Sequence, residues 1–578
     1  MSSSAQLSHI KQIQSALAAF ALLNLNGSLY KEDANIQEGD IFDFVVVGGG
    51  TAGAVVTARL VEANYSVFMI EAGGNAGVES LYPGLVTYVK NSRIDWNFTT
   101  EPDNLSGRCL KDVPSGPSTG KVIGGSGNTN YMIYSRGNPR DYEKIYEITN
   151  DTTWKWENML KYFIRSEKLD DEELLSSAFG RYHGSNGTVG VIKENRPICD
   201  EYLRAFEEAG ENVVADNIGA GILGYSSGLY NIFEGVRSTS ADSYIPPLNN
   251  NPNLHLTRYS TAAKILFDNN NNAVGVTYLK DGNNITVFAK NEVIVTGGSI
   301  KSPQLLMLSG IGPKKHLKSM DIPVISDLPV GQHLQNVVGT ALVFKTNRAA
   351  DPEPFNAHKF IAPLVVGYAA FNKTDVYPDY ESLNYIIDDY EHLLSFCSFT
   401  LGIQNSICDA LYDLTNETQV LWSNVFGLNP KSRGELQLQS LNPEDQPIIE
   451  TGYFSYDQDL EDVVDAILDL IKIESTPFGQ DNALEFLPVA EMCEGIEFGT
   501  KDYWRCYVLC MTVANWRYAG TCAIGEVVDS RLSVIGVNRL RVVDASVFPN
   551  TLGGAIFAPT VALAEKAAEI IIADQNPA

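Results

Sequence analysis

A glycine-rich turn near the start of the chain constrains its fold more than any other feature. The apolar run at residues 42–47 is followed by Gly48, Gly50 and Gly53 in the spacing GxGxxG, and residues 52–62 have a helix-like pattern. Such glycines let the backbone approach a pyrophosphate, which the free N–H groups at the start of the helix then bind. The order of strand, glycines and helix predicts a dinucleotide-binding domain of the Rossmann-type α/β fold.

A carboxylate closes the second predicted strand, which covers residues 67–70. Glu71 follows this strand at about the distance, roughly 20 residues after the glycines, at which a carboxylate accepts hydrogen bonds from ribose hydroxyls. An acidic side chain there disfavours a 2′-phosphate. The sequence therefore predicts an unphosphorylated dinucleotide.

Two further glycine-rich segments carry a family resemblance. They read GKVIGGSGNTNYMIYSRG at 120–137 and GGSIKSPQLLMLSGIGP at 297–313. Together with the opening DFVVVGGGTAGAVVTARL, they make the sequence resemble the glucose-methanol-choline (GMC) oxidoreductases, in particular the insect branch, from residue 40 to the C-terminus. The resemblance implies FAD with its isoalloxazine at the interface of two domains. The segment at 120–137 lacks the histidine that attaches FAD in some members, so we expect noncovalent FAD.

The resemblance also implies which residues contact the cofactor, and no metal is expected because no cysteine–histidine spacing fits one. The expected contacts are Gly48, Gly50, Thr51, Ala52, Gly53, Glu71, Ala72, Val122, Gly125, Ser126, Asn130, Tyr131, Met132, Asp544, Ala545, Ala555 and Ile556.

The length of 578 residues exceeds what one hydrophobic core usually supports, so two domains are expected. We predict an FAD-binding domain over 40–336, of which 150–225 contributes partly to the substrate side. An α+β substrate domain built on an antiparallel sheet follows over 337–516, and 517–578 returns to the FAD-binding domain with the active-site loop. Strand-like pieces at 254–257, 273–278 and 286–289 are expected to form a β-meander of the first domain.

Composition restricts the partners. Lys and Arg number 42 against 70 Asp and Glu, so a net charge of −28 repels nucleic acid and anionic lipid. No apolar stretch approaches the ~20 residues of a membrane span. We expect a small-molecule substrate, a cyanohydrin or an alcohol, with no nucleic acid partner and no membrane span.

The N-terminus and the sequons predict secretion. An apolar run at 16–23 fits a signal peptide over 1–28, with an ordinary amphipathic helix as the alternative. A secreted glycoprotein is favoured by nine Asn-x-Ser/Thr sequons. They begin at Asn26, Asn64, Asn97, Asn104, Asn150, Asn186, Asn284, Asn372 and Asn416.

Eight cysteines leave the disulfide connectivity open. By proximity, Cys397 with Cys408 and Cys506 with Cys510 are candidate pairs, and buried free thiols are the alternative.

The resemblance breaks at the catalytic positions. Family members carry a histidine ahead of GTxxMG and a histidine or asparagine inside GNTNAPT, which together remove the substrate's hydroxyl proton. The two motifs read NWRYAGTCAIG and GGAIFAPT here, so Arg517 and Phe557 occupy these positions. A guanidinium is a permanent cation and not a base, and a phenyl ring offers only apolar area.

Two reaction classes follow from this divergence. The GMC scaffold also hosts hydroxynitrile lyases, so we expect cleavage of a cyanohydrin such as mandelonitrile to HCN and a carbonyl compound without net redox. Arg517 would stabilise the developing charge. The candidate bases are Tyr518, with a pKa lowered by the cation, Tyr131 and a carboxylate of the second domain.

The alternative is an FAD-dependent alcohol oxidase or dehydrogenase that acts on CH–OH donors with a base recruited from the second domain. A fatty-acid decarboxylase and a flavin-bound binding protein are further alternatives. Arg517 could also form a salt bridge that points away from the flavin.

Overall fold

A computed structural model describes residues 12–14, 29–111, 116, 118–415 and 417–575. The predicted signal peptide over 1–28 lies outside the described residues apart from residues 12–14. Two seven-stranded sheets, each with its own large hydrophobic core, organise the chain. No helix in the described part is long and apolar enough to span a membrane.

The first sheet contains the predicted βαβ opening. Strand Ile41–Val47 runs parallel to Val67–Ile70, and helix Thr51–Glu62 connects them. Both strands are almost continuously apolar because they are covered on both faces. The predicted Rossmann-type fold is therefore confirmed. In spatial order the strands are Thr261–Phe267, Ala273–Lys280, Asn283–Val295, Ile41–Val47, Val67–Ile70 and Leu254–Thr257, with Leu540–Val542 pairing beside Asn283–Val295.

The predicted meander has different members from those expected. Leu254–Thr257 is an edge strand parallel to Val67–Ile70, and it takes no part in the meander. The meander consists of Thr261–Phe267, Ala273–Lys280 and Asn283–Val295, and the last of these continues into the parallel part of the sheet. Alternation of side chains could not distinguish the two arrangements, because edge and meander strands share the same period.

The second sheet is antiparallel throughout and faces the first domain across the candidate site. Its strands, in spatial order, are Glu485–Phe486, Val338–Ala349, Thr418–Gly427, Tyr380–Ile387, Leu364–Ala369 and Gly224–Ser227, with Thr512–Ala514 pairing beside Val338–Ala349. The edge strand Gly224–Ser227 comes from the first half of the chain.

The helices pack against the strands of the two sheets and against one another. The α-helices are Thr51–Glu62, Val78–Leu81, Pro139–Thr149, Trp156–Ser166, Glu172–Ser176, Ile198–Glu208, Ser240–Tyr244, Gly298–Leu308, Lys314–Ser319, Tyr390–Leu394, Asn405–Thr415, Asp457–Leu470, Pro477–Asp481, Lys501–Cys510 and Phe557–Gln575. A π-helical segment covers Ser395–Thr400. Val189–Lys193 lies between Glu167–Leu169 and Leu229–Tyr230 and pairs with both. The other short strands pair as Ile232–Phe233 with Val236–Arg237, Ile311–Gly312 with Ser326–Asp327, and Glu435–Gln437 with Ile448–Glu450.

The last segment of the chain returns to the first sheet. Leu540–Val542 lies parallel to Asn283–Val295, and helix Phe557–Gln575 then packs on Thr51–Glu62. Arg59 of the earlier helix forms a 2.7 Å ion pair with the buried Glu565 of the later one. This packing places residues at the starts of both helices around one cavity.

Three disulfides join segments around the second sheet. They are Cys109–Cys510, Cys397–Cys408 and Cys493–Cys506, while Cys199 and Cys522 are buried free thiols. The pairing of Cys506 with Cys510 was therefore wrong. The partner of Cys510 lies 401 residues away in sequence, a relationship that proximity along the chain does not reveal.

Candidate active site

A cavity extends from the glycine-rich turn of the first sheet to the second sheet. Of the seventeen expected cofactor contacts, those that line it are Gly48, Gly50, Thr51, Ala52, Glu71, Ala72, Gly125, Ser126, Asn130, Tyr131, Asp544, Ala545, Ala555 and Ile556. Gly53, Val122 and Met132 are buried but lie outside its lining. The candidate catalytic residues Arg517, Tyr518 and Phe557 all line it.

The glycine-rich turn keeps one end of the cavity free of side chains. A Cβ on Gly53 would lie 1.8 Å from the Gly48 carbonyl oxygen, so only glycine allows the strand and the helix to approach this closely. Gly50 precedes the helix without a side-chain cap. The N–H groups of the first helical turn therefore remain available for an anionic group such as a pyrophosphate.

Glu71 lies beside this turn at the end of its strand. Its carboxylate accepts the backbone N–H of Gly49 at 2.8 Å and that of Gly73 at 2.7 Å. Burial raises the pKa of Glu71 to about 7, although these N–H groups oppose the shift. Each carboxylate oxygen can accept more than one hydrogen bond and Glu71 lines the cavity, which fits the expected ribose hydroxyls.

Lys121 and Lys301, which no sequence motif marks, flank the indole ring of Trp96. The ammonium groups of Lys121 and Lys301 lie 4.6 and 4.5 Å from the ring centre of Trp96. Burial lowers the pKa of Lys301 to about 8, and both Lys301 and Trp96 line the cavity. Cations are scarce in this acidic chain, so their position favours an anionic ligand. Taken with the glycine turn and Glu71, they fit a dinucleotide.

The opposite end of the cavity contains the guanidinium of Arg517. The side chain is 4% exposed, and its Nη2 lies 2.6 Å from Oε2 of Glu381. Nη1 is buried and has no hydrogen-bond partner among the described residues. The backbone N–H of Arg517 donates to Asn336 Oδ1 at 2.8 Å, which fixes this loop to the segment that leads into strand Val338–Ala349 of the second sheet. Arg517, whose side chain lines the cavity, thus combines a salt bridge with a buried donor that has no partner among the described residues.

Glu381 belongs to strand Tyr380–Ile387 of the second sheet, and its side chain is fully buried. Side chains two and four residues further along a strand share its face, and both Leu383 and Tyr385 line the cavity. Oε1 accepts the Tyr368 hydroxyl at 3.0 Å, and Oε2 receives the Asn515 amide at 3.4 Å. The sequence suggested a second-domain carboxylate but could not identify it, because strand pairing brings Glu381 to Arg517 from 136 positions earlier.

The tyrosines proposed as bases do not have lowered pKa values. Burial raises the pKa of Tyr518 well above its usual value, and the neighbouring Tyr453, whose hydroxyl lies 2.7 Å away, raises it further. Burial likewise raises the pKa of Tyr131, which hydrogen-bonds Thr400 at 2.6 Å. The expectation that a cation lowers the pKa of Tyr518 was wrong, because its hydroxyl lies in a buried tyrosine pair.

The phenyl ring of Phe557 adds apolar surface to the cavity wall. A Cβ on Gly127 would come within 3.1 Å of its ring, so the phenyl packs directly on the glycine-rich loop after residue 124. The remaining wall between Phe557 and the second sheet is also largely apolar. It includes Leu383, Tyr385, Phe396, Leu401, Phe426, Trp516 and Ile556.

Comparisons with known proteins agree with this architecture. Family models described as "GMC oxidoreductase" match residues 42–338 and 430–564. An ecdysone oxidase of Bombyx mori is 35% identical over 96% of the chain and 86% of its own length. A "Glucose dehydrogenase [FAD, quinone]" of Drosophila melanogaster is 31% identical over 92% of the chain and 86% of its own length. A solved formate oxidase superposes with a TM-score of 0.79 at 23% identity, covering 93% of this chain and 99% of that one.

Proposed function

The chain belongs to the GMC oxidoreductase family, and we propose that it oxidises a hydroxyl-bearing carbon of an organic substrate. FAD is the cofactor. The observation that carries the proposal is the buried ion pair of Arg517 with Glu381. It offers a donor for a hydroxyl oxygen and a carboxylate for the hydroxyl proton, where the sequence alone left the choice of base open.

Oxidation of an alcohol removes a hydride from the carbinol carbon and a proton from the hydroxyl group. Bound FAD supplies the hydride acceptor. The free Nη1 of Arg517 donates a hydrogen bond to the hydroxyl oxygen and stabilises the negative charge that develops there. The apolar ring of Phe557 helps to exclude water from this end of the cavity.

Glu381 is the proton acceptor in this proposal. Its Oε2 has two contacts, Arg517 Nη2 at 2.6 Å and Asn515 Nδ2 at 3.4 Å. Glu381 is fully buried behind the cavity lining, whereas Asn515, which makes the weaker contact, lines the cavity. We propose that the substrate hydroxyl displaces this amide to reach the carboxylate. Transfer of the proton leaves a neutral carboxylic acid beside the guanidinium.

The ion pair weakens the case for a hydroxynitrile lyase. That reaction needs Arg517 as an uncompensated cation for departing cyanide, but Glu381 already neutralises the charge. A second anion on a buried, paired guanidinium is electrostatically costly. The relatives are named as oxidases and dehydrogenases, which supports oxidation over cyanohydrin cleavage.

The apolar wall restricts the substrate class. Aromatic and aliphatic side chains from both domains surround the Arg517 donor, so most of the substrate should be apolar with one hydroxyl at this end. A relative is named ecdysone oxidase. We therefore propose a secondary alcohol on a large apolar skeleton, with an ecdysteroid as the first candidate.

Anaerobic mixing of the yellow holoenzyme with ecdysone, glucose, choline and mandelonitrile tests the reaction class. We expect the flavin absorbance to bleach with an alcohol and the matching carbonyl compound to appear. Benzaldehyde and cyanide released from mandelonitrile while the flavin stays oxidised would instead establish the lyase.

We further propose that the chain is a secreted glycoprotein. The three disulfides favour folding in an oxidising compartment. Seven of the nine sequon asparagines lie in the described part of the chain, and all seven side chains are exposed; they are Asn64, Asn97, Asn104, Asn150, Asn186, Asn284 and Asn372. The predictions at Asn26 and Asn416 fall outside the described residues.

A further inference from the structure

We infer that Glu381 selects the ligands of the cavity: by compensating the charge of Arg517, it favours a neutral oxygen, an alcohol or a carbonyl, over a carboxylate or another anion. This inference deepens the proposed function and rests on it for the identity of the natural ligand. The selectivity itself concerns binding and is measurable without turnover.

The first observation is an unused donor. Arg517 is 3% exposed, and its Nη1 has no hydrogen-bond partner in the described part of the chain. An unsatisfied buried donor is destabilising, so a ligand atom that accepts its hydrogen bond gains the full benefit of satisfying it. Because the Arg517 side chain lines the cavity, we take a cavity ligand as the group that supplies this atom.

The second observation is the charge next to that donor. The Glu381 carboxylate contacts Arg517 at 2.6 Å and is otherwise surrounded by the neutral hydroxyl of Tyr368 and the neutral amide of Asn515. No other cation of the described residues hydrogen-bonds or pairs with this carboxylate. The pair therefore presents a donor with almost no net charge.

A second cation lines the cavity but is already engaged. The Lys301 ammonium donates to Gln304 Oε1 at 2.7 Å and to the Pro443 carbonyl at 2.9 Å. It also lies over the ring of Trp96. Arg517 is thus the side chain that decides whether an anion is accepted at the second-sheet end.

A carboxylate ligand on Arg517 would lie close to the Glu381 carboxylate. A carboxylate on Nη1 would share one guanidinium with Glu381, and two anions a few ångströms apart in a water-poor site repel each other. The repulsion should lower carboxylate affinity at least ~10-fold relative to a site without Glu381. A neutral oxygen accepts the same hydrogen bond without this repulsion.

Matched ligand pairs test the wild-type protein first. The oxidised, FAD-loaded enzyme is titrated with acetophenone and benzoate, and with cyclohexyl methyl ketone and cyclohexanecarboxylate, by isothermal calorimetry and by perturbation of the flavin spectrum under anaerobic conditions. We expect each neutral compound to bind more tightly than its carboxylate partner. Tighter binding of the carboxylates would overturn the inference.

Glu381→Gln then isolates the charge. The substitution keeps the size and an acceptor for Arg517 but removes the compensating anion, so we expect benzoate affinity to rise at least ~10-fold. The double variant R517M/E381Q should lose this gain. The matched control is Glu292→Gln, which alters another buried, arginine-paired carboxylate outside the cavity lining. Unchanged benzoate affinity in E381Q, or an equal gain in E292Q, would refute the role of Glu381.

The wild-type ligand pairs decide the question even if E381Q does not fold. The outcome is also separable from the proposed oxidation. If the enzyme selects neutral ligands but no alcohol reduces its flavin, oxidation fails and the selectivity stands. If an alcohol reduces the flavin while benzoate binds the wild type and E381Q equally, oxidation stands and the inference fails.

Discussion

The hydroxyl groups of Tyr453 and Tyr518 lie 2.7 Å apart in the interior, one from each of the two regions that meet at the cavity. Asn336 donates its amide to Tyr453 at 2.8 Å and accepts the backbone N–H of Arg517. These contacts fix the loop that carries Arg517, so we interpret Tyr518 as a residue that supports this loop.

We expect the Tyr518→Phe variant still to reduce its flavin with the alcohol substrate. The hydroxyl has a raised pKa and a tyrosine partner, so it is a poor base, and its loss removes one neutral hydrogen bond worth about 1 kcal/mol. The rate constant of flavin reduction, measured by stopped flow with the best alcohol, should fall by less than about 10-fold. A decrease of several hundredfold would restore Tyr518 as the proton acceptor.

Arg517→Met should slow flavin reduction by about 100-fold or more while the protein stays yellow, because it removes the donor to the developing oxyanion. Arg517→Lys should recover little, since an ammonium cannot bond Glu381 and a ligand with the same fixed geometry. The FAD content of both variants, read from absorbance after gel filtration, is the control for folding. Unchanged turnover in both would remove Arg517 from the mechanism.

Glu71→Gln should weaken FAD retention. One oxygen that accepts the N–H of Gly49 or Gly73 becomes an NH₂ group, so a backbone donor loses its acceptor and the ribose contact is altered. Hydrogen bonds to charged groups are worth about 1.5–3 kcal/mol, so the dissociation constant should rise about 10- to 100-fold. Fluorescence of FAD released on dilution measures this change, and wild-type retention would argue against a cofactor role for Glu71.

The buried His183 should make stability depend on pH. Burial alone lowers its pKa, but hydrogen bonds to Asp216 and Glu167 outweigh this, and the pKa is raised. A raised pKa means that the folded state holds the proton more tightly. The stabilisation is therefore complete below the unfolded value near 6.5 and is lost as pH rises through the folded pKa.

The test compares Tm of the wild type and His183→Gln between slightly acidic and alkaline pH. The wild type should lose more stability across this range than the variant, because glutamine does not titrate. Parallel curves would show that His183 makes no titrating contribution.

The disulfides and glycans predict behaviour on expression through the secretory route. Reduction should break the disulfides Cys109–Cys510 and Cys493–Cys506. The double variant C109S/C510S should lose about 2–5 kcal/mol of the free energy of unfolding and therefore unfold at a lower temperature. Peptide-N-glycosidase should increase gel mobility. Glycan-free protein with all eight cysteines reduced would contradict the proposal of a secreted glycoprotein.

The sequence by itself determined the cofactor end of the site. A glycine turn, a buried strand and Glu71 act through local backbone geometry, so their order along the chain was sufficient to predict the βαβ unit. The family resemblance supplied the expected cofactor contacts, most of which line the cavity. It also led to the expectation that Arg517 and Phe557 stand where the family motifs carry a histidine and a histidine or asparagine.

Only the tertiary structure decided what Arg517 does. A charged side chain takes its properties from its neighbours, and the neighbour here, Glu381, arrives through the pairing of strands in the second sheet. Strand register and disulfide partners such as Cys109 and Cys510 depend on contacts between residues far apart in sequence, which no local pattern encodes. For that reason the chain's family was readable from its motifs, whereas the chemistry proposed for its active site depended on the fold.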